Sequence, residues 1–187
     1  MNEMQTASML TLYMILFTAV IQDFMCMKIS NRLILMGLFC SIAFGISIGG
    51  VPQIIYILWN ISFPVIILYL LYVLGILGAG DIKLFSVIGG FTNFKTLTDC
   101  ILAALLVGAI ISVGKMLHNR NLQFSLFKGS VFIRELLHGN FMSYRKSMVQ
   151  KENLMHFSVA ILLGFMVLYA LKDFLIKRLG SLLEHTT

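Results

Sequence analysis

The stretch that decides the fold is residues 33–80, LILMGLFCSIAFGISIGGVPQIIYILWNISFPVIILYLLYVLGILGAG, which runs for 48 residues without an Asp, Glu, Lys or Arg. A bilayer core of about 30 Å takes roughly 20 apolar residues per helix, so the run is too long for one crossing and long enough for two. Gly49-Gly50-Val51-Pro52 is a turn signal inside it. That turn divides the run into predicted spans over 33–48 and 53–77. Pro64 lies within the second, where a kink is expected.

Working outward, Met4 to Gln22 and Asn153 to Leu171 are charge-free runs of 19 residues each. They predict spans over 7–21 and 153–171. The shorter runs Leu84 to Phe94 and Cys100 to Gly114 predict spans over 82–91 and 98–115, the first of them short for a crossing. The whole composition agrees: 59% of residues are hydrophobic, only 12% are charged, and the mean hydropathy is +0.93. A water-soluble domain of 187 residues has too little interior to hide that much apolar surface. Disorder would need the opposite composition. The fold class is therefore all-α, a polytopic membrane protein of about six transmembrane helices. A single domain is expected over 1–187, with a basic cytosolic segment at 116–152 and no internal repeat. The first span has neither a Lys/Arg-rich start nor a small-residue cleavage site, so it is expected to be retained.

The net charge of +6 reads as membrane topology, and no nucleic-acid partner is expected. With the spans alternating, the loops after spans one, three and five carry ten of the 14 Lys and Arg residues. These are Lys28, Arg32 and Lys83, then seven between Lys115 and Lys151. The other side carries Lys95, Lys172, Lys177 and Arg178. The bias places those three loops in the cytosol and the N-terminus outside. Within the basic segment, Leu122/Leu126, Phe132/Leu136 and Ile133/Leu137 stand at helical spacing. A helix lying on the inner leaflet and a cap packed on the bundle both fit that pattern.

Acidic residues carry the functional information. Between Glu3 and Asp99 there are only two, Asp23 and Asp81, each at the predicted cytosolic end of a span. A carboxylate near hydrocarbon is costly. One reason to place two there is a carboxylate pair, in which like charges prevent both from ionising and one proton is shared. Such a pair supplies acid and base from one residue type. The other reading is a solvated helix cap or topology marker at each site. Gly78-Ala79-Gly80 precedes Asp81, and two glycines there predict an unusual backbone and close approach of a substrate chain. A helix beginning after Asp81 would make that carboxylate a cap, with Lys83 near enough to tune it.

Cys26, Cys40 and Cys100 form no zinc-type spacing with histidine, so no metal is expected. His118, His138, His156 and His185 read as loop or interface residues, and Trp59 and the tyrosines as interfacial anchors.

Gly78-Ala79-Gly80-Asp81-Ile82-Lys83-Leu84 resembles the GxGD motif of the type IV prepilin leader peptidases, a group of membrane aspartic proteases. Asp23 followed by Lys28-Ile29-Ser30-Asn31 is similar to that family's first aspartate motif, with Ser30 where proline is usual. His156-Phe157-Ser158-Val159-Ala160-Ile161-Leu162-Leu163-Gly164 is similar to its last span, with His156 and Ser158 at proline-like positions. The resemblance covers about residues 7–172. It implies an aspartic endopeptidase that removes the short basic leader of a prepilin or pseudopilin at the cytosolic face of the cytoplasmic (inner) membrane. Asp23 and Asp81 would be the catalytic dyad, with Gly78, Gly80, Lys83 and Asn31 supporting the motif or the substrate. No cofactor or metal is implied. The expected partners are prepilin precursors and the lipid bilayer. Without the cysteine-rich zinc domain of larger members, the chain resembles the short, peptidase-only form found in tight-adherence pilus systems and among archaeal preflagellin peptidases.

Two rivals use the same residues differently. A small proton- or ion-coupled transporter would use the aspartates as ion sites and predicts uptake without proteolysis. A non-catalytic scaffold of a secretion machine predicts that loss of both aspartates is tolerated.

Overall fold

The computed structural model describes residues 3–73, 77–118 and 157–184. Within them lie six helices and no strand: α1 (Glu3–Cys26), α2 (Asn31–Gly49), α3 (Gln53–Val73), α4 (Ala79–Phe91), α5 (Phe94–His118) and α6 (Phe157–Glu184). Every predicted span has its helix. Some boundaries need correction. Leu77, placed inside the third span, forms a bend instead of helix. Residues 116–118, assigned to the loop, continue α5. Residues 172–184, read as a tail, continue α6. The rest of the predicted basic segment, the start of the sixth span at 153–156, and His138, His156 and His185 lie outside the described residues.

Four stretches are long and apolar enough to cross a membrane: Glu3–Cys26, Asn31–Gly49, Gln53–Val73 and Phe94–Gly114. Phe157–Leu171 of α6 is a shorter apolar stretch. The outer faces are covered with large apolar side chains, among them Met14, Phe17, Phe39, Ile55, Leu102 and Ile110, each more than half exposed. Water would not tolerate contiguous patches of that kind, and lipid solvates them without cost. This is a membrane protein.

The core is α4. Its 13 residues rise about 20 Å, too little to cross a bilayer unaided. Ile82 and Leu84 through Gly90 are all buried, and α4 packs against each of the other five helices. A helix apolar all round belongs at the centre of a bundle. Phe85, fully buried with its ring tilted against that of Phe157 of α6, is one such anchor. Its truncation to Ala is expected to cost about 3–5 kcal/mol.

One close contact interlocks α4 with α3. Pro64 has no N–H to give the carbonyl of Asn60, four residues earlier. The backbone of α4 approaches that carbonyl at Gly89, where any side chain would collide with the Asn60 oxygen. The Asn60 amide in turn donates to the Thr92 carbonyl at 3.1 Å, satisfying a buried acceptor at the end of α4. On the neighbouring side, Gly90 leaves room for Ser41 of α2.

The predicted turn after α2 forms as the sequence indicates. Gly50 takes φ of 72°, closing the helix with its N–H on the Ile46 carbonyl at 2.9 Å. Packing of α1 against α6 fixes their antiparallel register. Tyr13 meets Phe165 edge-on at 5.3 Å, and the Tyr169 hydroxyl donates to the Met9 sulfur at 3.4 Å. That register carries the N-terminal turn of α6 to the C-terminal turn of α1, where Asp23 lies.

Candidate active site

Asp23 occupies the last turn of α1. Its carbonyl accepts the N–H of Met27 at 2.8 Å, and Met27 leaves the helix with φ of 52°. The chain then reaches Ser30, which caps α2 by accepting the N–H of Arg32 at 3.3 Å. Ser30 stands where the resemblance leads one to expect proline. The serine keeps an N–H, and Gln22 of α1 accepts it through Oε1 at 3.0 Å. The connection is thereby tied back beside Asp23.

Asp81 lies in the first turn of α4, ahead of its apolar stretch. The helix begins at Ala79, so Asp81 is its third residue, and the expected helix start after Asp81 is corrected. The carboxylate folds back and Oδ2 accepts the N–H of Gly78 at 3.1 Å. This satisfies a backbone donor that the helix itself leaves open. Gly78 has φ of −77°, and among the described glycines only Gly50 has a positive φ. The unusual backbone expected at Gly78 and Gly80 is therefore absent. What Gly78 supplies is space: a Cβ there would stand 3.0 Å from Asp81 Oδ2. At Gly80 a Cβ would meet Ile29 at 3.5 Å, an ordinary contact.

The two carboxyl groups arrive at the same end of the bundle on different helices, both half-buried. Burial pushes the Asp81 carboxyl up from 3.8 to about 6, the Gly78 hydrogen bond opposes the rise, and the nearby charge of Asp23 adds to it. Asp23 accepts a hydrogen bond at Oδ2 from the hydroxyl of Ser158, 2.5 Å away. Ser158 is completely buried in the first turn of α6.

The predicted supporting residues divide. Lys83 is exposed, and its ammonium donates to Asn31 Oδ1 at 2.9 Å, joining the N-terminal part of α4 to the first residue of α2. Its charge is thus engaged by Asn31. Gly78 belongs to the Asp81 turn, and Gly80 packs against the segment preceding α2. Sequence reasoning missed Ser158 as a partner of Asp23, and Gln22 altogether. Ser158 was visible only as a departure from a proline-like position, 135 residues from its acceptor. No periodicity links residues so far apart.

Chemically, the arrangement offers one carboxyl whose hold on its proton is raised by burial and a second whose charge bears on it; two carboxyls in unlike surroundings are what acid and base action from one residue type requires. Among the described residues there is no cluster of three or more His, Cys, Asp and Glu able to hold a metal.

The model of the type IV leader peptidase family matches residues 10–113, which include both aspartates and the whole of α2, α3 and α4. Ser158 and α6 lie beyond the matched region. No curated protein and no solved structure shows significant similarity to the chain. The family match spans more than half of the 187 residues and contains the helices that bring the two carboxyls together, so the chain belongs to the type IV leader peptidase family and is a peptidase of that kind.

Proposed function

We propose that this chain is an aspartic endopeptidase that removes the leader of prepilin- or pseudopilin-like precursors, using Asp23 and Asp81 as its catalytic dyad. The observation that carries the reading is the convergence of two half-buried carboxyls, from α1 and α4, at one end of an apolar bundle, where the charge of one bears on the other. A lone solvated cap would not explain the second acid.

In the proposed reaction Asp23 is ionised and Asp81 protonated. Asp23 takes a proton from a water molecule as that water attacks the scissile carbonyl carbon. Asp81 gives its proton to the carbonyl oxygen, so a neutral gem-diol forms. The proton on Asp23 then passes to the amide nitrogen as the C–N bond breaks. Asp81 recovers a proton from the diol, leaving a carboxylic acid and a free amine. The titration belongs to the pair, and a bell-shaped pH profile is expected.

The ten-to-four division of Lys and Arg supports a dyad on the cytosolic side of the cytoplasmic membrane. A precursor with a basic leader followed by an apolar helix suits that position. Its helix would lie in lipid against the exposed apolar flanks, with the scissile bond, after a small residue, at the interface. Membership of a peptidase family weighs against the transporter and the scaffold.

The test uses purified protein in detergent with a candidate prepilin, and maps the cleaved bond by mass spectrometry. Cleavage before the apolar helix by wild type, and none by Asp23→Asn or Asp81→Asn with equal protein in the membrane, is the expected result. Cleavage at wild-type rate by either variant would remove the dyad.

A further inference from the structure

The hydroxyl of Ser158 presents an unusual combination. It is completely buried, it belongs to a helix outside the family-matched region, and it donates at 2.5 Å to Asp23 Oδ2. The setting of Asp23 gives that bond a purpose. A carboxylate in the last turn of a helix faces the negative end of the helix dipole. The four terminal carbonyls are acceptors and can offer it nothing. A donor must come from another element, and α6 brings one. A hydroxyl donated to a carboxylate favours the ionised form and fixes the rotamer.

The geometry points to Ser158 as a positioning residue: from α6 it holds the Asp23 carboxylate, ionised and in one orientation, as the base of the dyad. This rests on the reading of Asp23 and Asp81 as the catalytic pair. Ser158 itself touches neither substrate nor water in this role. Charged side chains lie on the described elements next to Asp23. Asp81, on α4, feels the charge of Asp23. Lys83 of the same helix is engaged by Asn31 of α2. Lys28 and Arg32, on the connection to α2 and its first turn, are exposed. From α6 the neutral hydroxyl of Ser158 reaches Asp23. Ser158 therefore tips the pair without adding charge.

The test compares Ser158→Ala and Ser158→Cys with wild type in prepilin cleavage across pH, with melting temperature in detergent measured alongside. Ser158→Ala removes one oxygen and adds no volume. Expected for it are a fall in kcat of about tenfold, KM within about twofold, and an acid limb moved to higher pH by about one unit. Its melting temperature should change little. Ser158→Cys, close to serine in size with a weaker donor, should fall between the two in both kcat and acid limb. It also decides the matter if the Ala variant does not accumulate. A readout independent of cleavage is the infrared band of protonated carboxyl groups. Its pH midpoint should rise in either Ser158 variant, and that rise should be lost when Asp23→Asn is added. Unchanged kcat, acid limb and infrared midpoint in both variants would overturn the proposal, and a pure KM effect would make Ser158 a packing residue. If wild type cleaves nothing while the Ser158 variants still show the infrared shift, Ser158 keeps its hold on the Asp23 carboxyl and the peptidase reading of the dyad is removed.

Discussion

Asp81 sits in the first turn of α4 and Asp23 in the last turn of α1, and the two helix ends are electrostatically opposite. At Asp81 the backbone itself helps: the Gly78 N–H meets the carboxylate and the helix N-terminus favours negative charge. Burial overrides that help and leaves the group inclined to keep its proton. At Asp23 the helix end is unfavourable, and the support is imported from α6 through Ser158. On the proposed dyad, the difference is what would let one residue type serve as both acid and base. The chemistry is divided by what surrounds each carboxyl, since nothing in the side chains themselves distinguishes them.

The strongest blow to that comparison is to abolish either member. Asp23→Asn and Asp81→Asn are each expected to reduce kcat/KM for precursor cleavage by about a thousandfold or more. The double variant should be no worse than the singles, as for groups acting as a unit. Single-turnover cleavage assays measure this, and additive losses would mean that the two act independently. Next in size is Gly78→Ala. Its φ suits alanine, so the fold should hold, yet the new methyl would crowd Asp81 Oδ2. A loss of roughly tenfold in kcat, with an unchanged melting temperature, is expected.

A subtler contrast concerns stability. The Asp81 carboxyl is raised from 3.8 to about 6 on folding, so its favourable contribution is complete below pH 3.8 and is lost as pH rises through about 6. Asp81→Asn removes the ionising group. It should melt a few degrees higher than wild type at pH 7.5, on the order of 2–4 °C per kcal/mol, and no higher near pH 4. Asp23→Asn, which weakens the charge-assisted bond to Ser158, should show no such gain. Differential scanning fluorimetry in detergent separates the two. The smallest effect is expected at the exposed Lys83–Asn31 link: Asn31→Ala should change cleavage by no more than about threefold.

The spans were legible because hydrophobic length is a one-dimensional property. The 48 uncharged residues with one Gly-Gly-Val-Pro interruption had to be two helices, and α2 and α3 are those helices. The aspartates were legible for a similar reason, since scarce acids in an apolar chain stand out. What the sequence hid depends on three dimensions. The fate of Asn60 is decided by Pro64 on its own helix and by Thr92 on the next. The purpose of Gly78 is the space a folded-back carboxylate needs, which a backbone-freedom argument misidentified. Ser158 acquires its meaning only when α6 is laid against α1.

The lock at Gly89 has a reach beyond packing. Gly89 and Asp81 are eight residues apart on one helix, about 12 Å along its axis. An α-helix barely compresses lengthwise, so any lift forced on α4 at its far end is delivered almost whole to the carboxyl at the other. A methyl at Gly89, well removed from any chemistry, would detune the reaction like a shim slipped beneath one leg of a balance. On the proposed dyad, variation at the Asn60–Gly89 seam would adjust turnover without altering a single reacting group.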